Sequence, residues 1–169
     1  MNDEDIQTTA ALLKKFESGF LPYPVFEQIA RLVALPILEF IPLRSTDNSV
    51  QVLLIARPAD DPLWPGMLHT PGTVIRATDI GQPDANWPAF QRIQHDELAD
   101  TEISKPQYVG SLLHQSKRGA EQAQLYWVEV MGEPKVGTFY DVDNLPEGLI
   151  ASQRAFIKAA VDNFRQRQA

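Results

Sequence analysis

Apolar residues recur along the chain in two rhythms. Ile6, Leu12, Leu13 and Phe16 form the stripe of a short helix over Asp5–Phe16. Leu21-Pro22-Tyr23-Pro24 breaks it. Phe26, Ile29 and Leu32 (or Val33) then predict a second helix from Val25 to about Val33, closed by Pro36. From Ile37 the rhythm shortens. Ile37–Leu43 reads as a strand, Ser45–Ser49 as a turn, and Val50–Arg57 as an apolar strand buried on both faces, so the pair predicts a hairpin. A Pro- and Asp-rich loop, Pro58–Pro65, leads to a short strand that turns at Pro71-Gly72 and returns over Gly72–Ile75. Ala77–Pro88 is a polar loop, followed by a helix from Ala89 to about Leu98 with Phe90, Ile93 and Leu98 on one face. Tyr108–His114 reads as a strand, Gln115–Gln122 as a charged turn, and Leu125–Val130 as a strand. A final helix over Gln153–Arg165, with Ser152 as its N-cap, presents Phe156, Ala160 and Phe164.

The order of elements predicts an α/β (α+β) sandwich with a mixed sheet between helices. Residues 1–36 form an N-terminal helical extension and 37–169 one domain. The extension packs on the domain, makes a dimer contact or caps a cleft.

Composition narrows the function classes. The 169 residues are 44% apolar and 22% charged, the balance of a globular chain with a sizeable core. A net charge of −7 without any basic block argues against nucleic acid or an anionic membrane as the main partner. No cysteine is present, which excludes disulfides, zinc–thiolate sites and thiol nucleophiles. The acidic start Met1-Asn2-Asp3-Glu4-Asp5 is unlike a secretory signal, and no apolar run approaches membrane-spanning length, so a cytoplasmic location is expected. No Ser-His-Asp spacing, phosphate loop or dinucleotide fingerprint occurs.

The candidate chemistry gathers between Leu63 and Ile103. Trp64-Pro65-Gly66-Met67 and Pro71-Gly72 precede the helix that carries Arg92, Asp96 and Glu97. A loop followed by a helix with adjacent carboxylates can hold a hard cation through oxygen ligands, with the Gly72 carbonyl as a further donor. Adjacent helical residues point about 100° apart, so Asp96 and Glu97 also fit a solvated acidic face. Arg92, one turn earlier, is placed to hold those carboxylates by charge-assisted bonds. Arg57 and Arg76 are placed to reach a phosphate, and His114 to bind substrate or act as a base. Trp64, Tyr126 and Trp127 either stack a base or pack in the core. Lys117 and Arg118 read as solvated.

This stretch resembles the Nudix box, the loop–helix–loop signature of Nudix hydrolases. Arg92 matches the box Arg, and Asp96 and Glu97 match its Glu-Glu pair. The departures are specific. Thr78 stands where the first box Glu belongs, Ile93 where a Glu follows the Arg, and Ala99 at the closing Gly. The Gly72–Arg92 spacer is about six residues too long. GDP-mannose mannosyl hydrolases likewise lack the Glu after the box Arg and keep a Glu five residues beyond it, where Glu97 sits; that short match carries no substrate assignment.

The resemblance implies a Nudix-type α/β/α sandwich from about Ile37 to Phe164. It also implies a divalent-metal-dependent hydrolase of a small nucleoside-diphosphate-linked compound. Glu97 and Asp96 would be catalytic, Arg92 orienting, Arg57, Arg76 and His114 substrate-binding, and Gly72, Asp96 and Glu97 metal-binding. Mg²⁺ or Mn²⁺ would be held weakly, because two box carboxylates are missing; Asp79, Glu121 and Glu129 are remote replacements. The alternative is a catalytically silent Nudix-derived nucleotide-binding or regulatory domain. A homodimer through the N-terminal helices is a further expectation.

Overall fold

The computed structural model describes residues 2–47, 49–81, 83–84 and 87–168. Part of the predicted Ala77–Pro88 loop, at Gln82, Ala85 and Asn86, lies outside these, as does Asn48 of the predicted turn.

Two helices lead the chain. In α1 (Asp3–Leu13) the side chain of Asn2 accepts from the Asp5 N–H and Asp5 returns the bond to the Asn2 N–H, a reciprocal cap that satisfies two end donors. None of its residues is buried, and Ile6, Leu12 and Leu13 stay exposed. α2 (Tyr23–Leu32) starts at a proline pair and docks through Ala30 and Phe26 onto the domain core. One helix of the extension therefore packs on the domain, and the other buries none of its residues.

The sheet is built on β1 (Leu35–Ser45), which begins two residues inside the segment assigned to the extension. On one side it pairs in parallel with β6 (Ala120–Glu129) over nine register positions from Leu35↔Glu121 to Leu43↔Glu129. On the other side it pairs antiparallel with two strands in turn, β4 (Gly72–Val74) near its start and β2 (Val50–Ala56) near its end. β3 (Leu68–His69) and β7 (Thr138–Asp141) pair with β2, and β5 (Gln107–Gln115) pairs with β6. Seven strands thus form a mixed, mainly antiparallel sheet.

Side chains alternate across β1, so each face builds its own core. Leu35, Ile37, Ile41 and Leu43 pack with Phe156, Ile157, Ala160 and Phe164 of α4 (Gln153–Gln168). Leu38 and Phe40 pack on the other face with Phe90, Ile93 and Leu98 from the box helix. Helices on both faces of a mixed sheet confirm the expected α/β/α sandwich. No helix among the described residues is long and apolar enough to cross a membrane.

Three local expectations needed correction. The Gln115–Gln122 turn is shorter than expected, because β6 already starts at Ala120 and buries Glu121 and Ala123. Thr138–Asp141, for which no element was expected, is a strand. The box helix is α-helical only over α3 (Pro88–Arg92) and then widens into a π-helical segment, Ile93–Glu97, closed by Leu98 N–H donating to the Ile93 carbonyl.

Candidate functional site

The box helix is held by an ion pair that replaces the one expected. Arg92 does not reach for Asp96 or Glu97. Its two terminal nitrogens bind the Asp79 carboxylate, and Nη2 also donates to the Val74 carbonyl at 3.1 Å. The Asp79 side chain is 1% exposed. Burial pushes its carboxyl up, but Arg92 and the Arg76 N–H outweigh that and hold it below the usual carboxylate range. Asp79, one residue beyond the expected box position, thus braces Arg92 and is not free to serve as a replacement metal ligand.

The segment bends sharply after the box. Ala99 and Asp100 adopt left-handed backbone, φ 49° and 57°, which a non-glycine residue enters at a cost. Ala99 occupies the place of the closing Gly, so the backbone geometry of that position survives without the residue that favours it.

The acids of the box do not gather. Ile93 is fully buried between Leu38, Phe40, Leu53 and Phe90, so the place of the missing Glu belongs to the core. Asp96 is exposed. Glu97 is partly buried and turned toward His69, with Oε2 at 4.0 Å from Nε2. Burial pushes Glu97 up, the nearby Arg57 charge opposes this, and Asp96 adds to it. Burial pulls His69 down to about 4, helped by Arg57. His69 is therefore neutral near pH 7, and its contact with Glu97 is not an ion pair there.

The polar groups collect instead on the α4 face of the sheet. A recess of about 50 Å³ there is lined by Glu39, Arg57, His69, Gly72, His114 and Arg118, among others. Glu39, on β1, is the one charged residue in an apolar run and is 7% exposed. Its carboxyl lies against Gly72, where a Cβ would come within 2.7 Å of it, so any side chain at that position would push the Glu39 carboxyl aside. Burial pushes Glu39 up to about 8. The hydrogen bonds agree. Thr70 Oγ1 sits 2.9 Å from Glu39 Oε2 and also meets Gln153 Oε1, which accepts the Thr70 N–H at 3.2 Å. One hydroxyl proton cannot serve two acceptors. A protonated Glu39 donating to Thr70, which donates to Gln153, satisfies all three.

Beside it, Glu121 is 2% exposed and accepts from Arg118 Nε at 2.7 Å. Arg118 lies 5.2 Å over the Trp64 ring, and Lys117 donates to the Leu63 carbonyl at 2.8 Å, so neither is merely solvated. His114 Nε2 is 3.2 Å from Glu121, out of line for a hydrogen bond, and both ring nitrogens are buried without a partner. Asp61 folds the Pro58–Pro65 loop over the recess: it binds Arg57 Nε at 2.9 Å and caps the N–H groups of Leu63 and Trp64. Burial pushes its carboxyl up, and those amides with Arg57 outweigh that and hold it down.

The structure thus brings Arg57, His114 and Gly72 to one recess and links Glu97 to it through His69. Asp96 does not line it, and Arg76 lines a different crevice, against the extension. Tyr126 and Trp127 are core residues, the latter donating to Asn163 at 2.9 Å. Sequence reasoning missed Glu39, Thr70 and Gln153. A glutamate inside the apolar run Leu35–Leu43 was the available signal.

A divalent cation such as Mg²⁺ takes about six oxygen ligands. No group of three His, Asp or Glu side chains among the described residues stands close enough to share one. With Ile93 in the core, Asp96 in solvent and Glu97 beside a guanidinium, these side chains do not fit a resident metal.

No family model matches the chain, and no curated protein sequence does. Solved structures do. NrtR of Shewanella oneidensis matches with TM-score 0.57 at 16% identity, over 79% of this chain and 64% of that one. This chain therefore spans about two thirds of the length of that protein. C. elegans Ap4A hydrolase matches with TM-score 0.56 at 11% identity, over 81% of this chain and 100% of that one. The NUDIX domain of Shewanella NrtR, solved with ADP-ribose, matches with TM-score 0.53 at 14% identity, over 88% and 100%. At such identities the likeness concerns architecture, and together with the sandwich and the Arg92-braced box it shows that this chain has the Nudix fold.

Proposed function

We propose that this chain is a Nudix-derived domain that binds a nucleoside-diphosphate-linked compound without hydrolysing it. The observation that carries this is that the box acids do not converge. A metal-activated water attack on phosphorus needs acids gathered on the cation, whereas Ile93 is fully buried in the core, Asp96 is exposed and Glu97 is turned toward His69. Arg57, half-exposed at the recess and beside Glu97, supplies cationic charge for a diphosphate. A recess of about 50 Å³ holds only about one or two waters, so ligand entry displaces the Asp61-capped loop. The NrtR domain solved with ADP-ribose supports a ligand of this class for the fold.

A divalent-metal-dependent hydrolase is the second reading, and one observation favours it: the Asp79–Arg92 brace keeps the box helix in place with Glu97 still on it. ADP-ribose, diadenosine polyphosphates and nucleotide sugars, each with Mg²⁺ and with Mn²⁺, separate the two. Saturable binding without turnover is expected, with no calorimetric Mg²⁺ binding in the absence of ligand. Turnover that disappears in Glu97→Gln would overturn the proposal in favour of the hydrolase.

A further inference from the structure

A second concavity, of about 510 Å³, separates the N-terminal extension from the domain. It lies in the range of small-molecule sites, roughly 300–1,000 Å³, and is far larger than the recess. One wall is aromatic, from Phe20, Tyr23 and Phe26; the other is the aliphatic edge of β4, Val74 and Ile75; Leu35 forms part of the floor. The two walls belong to segments that meet only because α2 docks. That docking is close: Gly119, at the β5–β6 turn, comes so near the Ala30 carbonyl that a Cβ would stand 2.5 Å from it.

At the rim stands Arg76. It is partly buried, and its guanidinium makes no hydrogen bond or ion pair among the described residues; it lies 5.9 Å over the Phe20 ring. Asp79 senses its charge but commits its oxygens to Arg92 and to the Arg76 backbone N–H. Glu17, also at the mouth, is exposed. A partly desolvated cation that no carboxylate among the described residues pairs, above apolar walls, complements a ligand with one anionic group and an apolar body. The planar fork of Arg matches a carboxylate as well as a phosphate. A flat ring fits between the aromatic wall and the aliphatic edge.

We propose that this crevice binds a small aromatic carboxylate, with its ring between Phe26 and Val74 and its carboxylate on Arg76. The site is separate from the recess, so it stands or falls independently of the proposed nucleotide binding. It touches the box nonetheless, because the Arg76 backbone holds Asp79 and Asp79 holds Arg92.

Calorimetry on the full chain with 2-naphthoate, its neutral counterpart 2-naphthalenemethanol, and decanoate tests this. Naphthoate is expected to bind one to one, and the alcohol about tenfold or more weaker, the worth of a charge-assisted bond. Arg76→Gln should bring naphthoate down to the alcohol, and Ile29→Trp, which fills the crevice, should abolish both. Absence of naphthoate binding to the wild type overturns the proposal, as does equal binding of acid and alcohol. Both comparisons need no variant to fold. Decanoate binding tenfold tighter than naphthoate would overturn the aromatic class. A dimer by light scattering whose formation excludes naphthoate would give the crevice to a second copy of the chain, and would also overturn it.

Discussion

The two faces of the central sheet have taken opposite courses. On the box-helix face, Leu38, Phe40 and Leu53 meet Phe90 and Ile93, and a position that carries an acid in the Nudix pattern is hydrocarbon. On the α4 face, two glutamates, Glu39 and Glu121, sit almost fully buried in the same two strands that build the core. Each has a defined partner: Thr70 for one, Arg118 for the other. A fold can keep its architecture while polar chemistry leaves one face and persists on the other, provided its buried carboxyls find hydrogen-bond partners, as Glu39 and Glu121 do.

The harshest way to break this comparison is to return the acid. Ile93→Glu places a carboxyl among Leu38, Phe40 and Phe90, and should destabilise the protein by on the order of 3–5 kcal/mol in urea unfolding. A loss below about 1 kcal/mol accompanied by new Mg²⁺ binding would show that the box-helix face has stayed receptive to charge.

Glu39→Gln probes the other face with a milder and pH-dependent effect. The carboxyl is raised to about 8 in the folded chain from its ordinary value of 4.5. The folded state thus holds a proton that the unfolded state has released, so Glu39's contribution is present below pH 4.5 and fades as pH rises to about 8. Glutamine mimics the protonated acid and removes that slope. Relative to wild type, the variant should gain on the order of 3 kcal/mol between pH 5 and pH 8. His69 moves the other way: held near 4, it contributes above its unfolded value of 6.5 and loses that contribution as pH falls toward 4. It does so equally in both proteins, so the difference isolates Glu39. Parallel pH profiles for wild type and variant would place Glu39 in its ionised form throughout.

The smallest effect lies between the faces. Ala99→Gly relieves a left-handed alanine and should stabilise by about 0.5–1 kcal/mol, after the entropy that glycine adds to the unfolded chain. A melting temperature that fell instead would show that the Ala99 methyl contributes more than its backbone costs.

These three positions also show what was legible in the sequence. Ile93 could be read directly, since its place in the helical stripe and its departure from the box are both matters of spacing. Ala99 could be read as a departure, but not its φ, because the π-helical widening that sets it depends on the packing of Leu98. Glu39 could be read only as a charge out of place in an apolar run, not for its partners. Alternation marks a strand's two faces, yet a glutamate among leucines gives no sign of the Thr70 and Gln153 that reach it from distant segments. Glu121 was obscured for a related reason: Glu-Gln-Ala-Gln has the composition of a turn, and only pairing with β1 makes it a strand. The Asp79–Arg92 pair was half legible, as a possible replacement one residue out of place, since the course of the intervening loop decides whether it forms.

The parallel pairing of β1 with β6 has a consequence for how the chain is made. Leu35 and Glu121 are neighbours in the sheet yet more than eighty residues apart in sequence. On the ribosome, β1 emerges long before its principal partner exists and can pair only along one edge, with β2 and then β4. Its other edge stays open until Ala120–Glu129 has cleared the exit tunnel. Contacts this distant slow folding, because loop closure must precede any gain from pairing. During that interval the apolar run of β1 is interrupted by a glutamate that remains charged in the unfolded chain at neutral pH, a single repulsive mark on an otherwise adhesive edge.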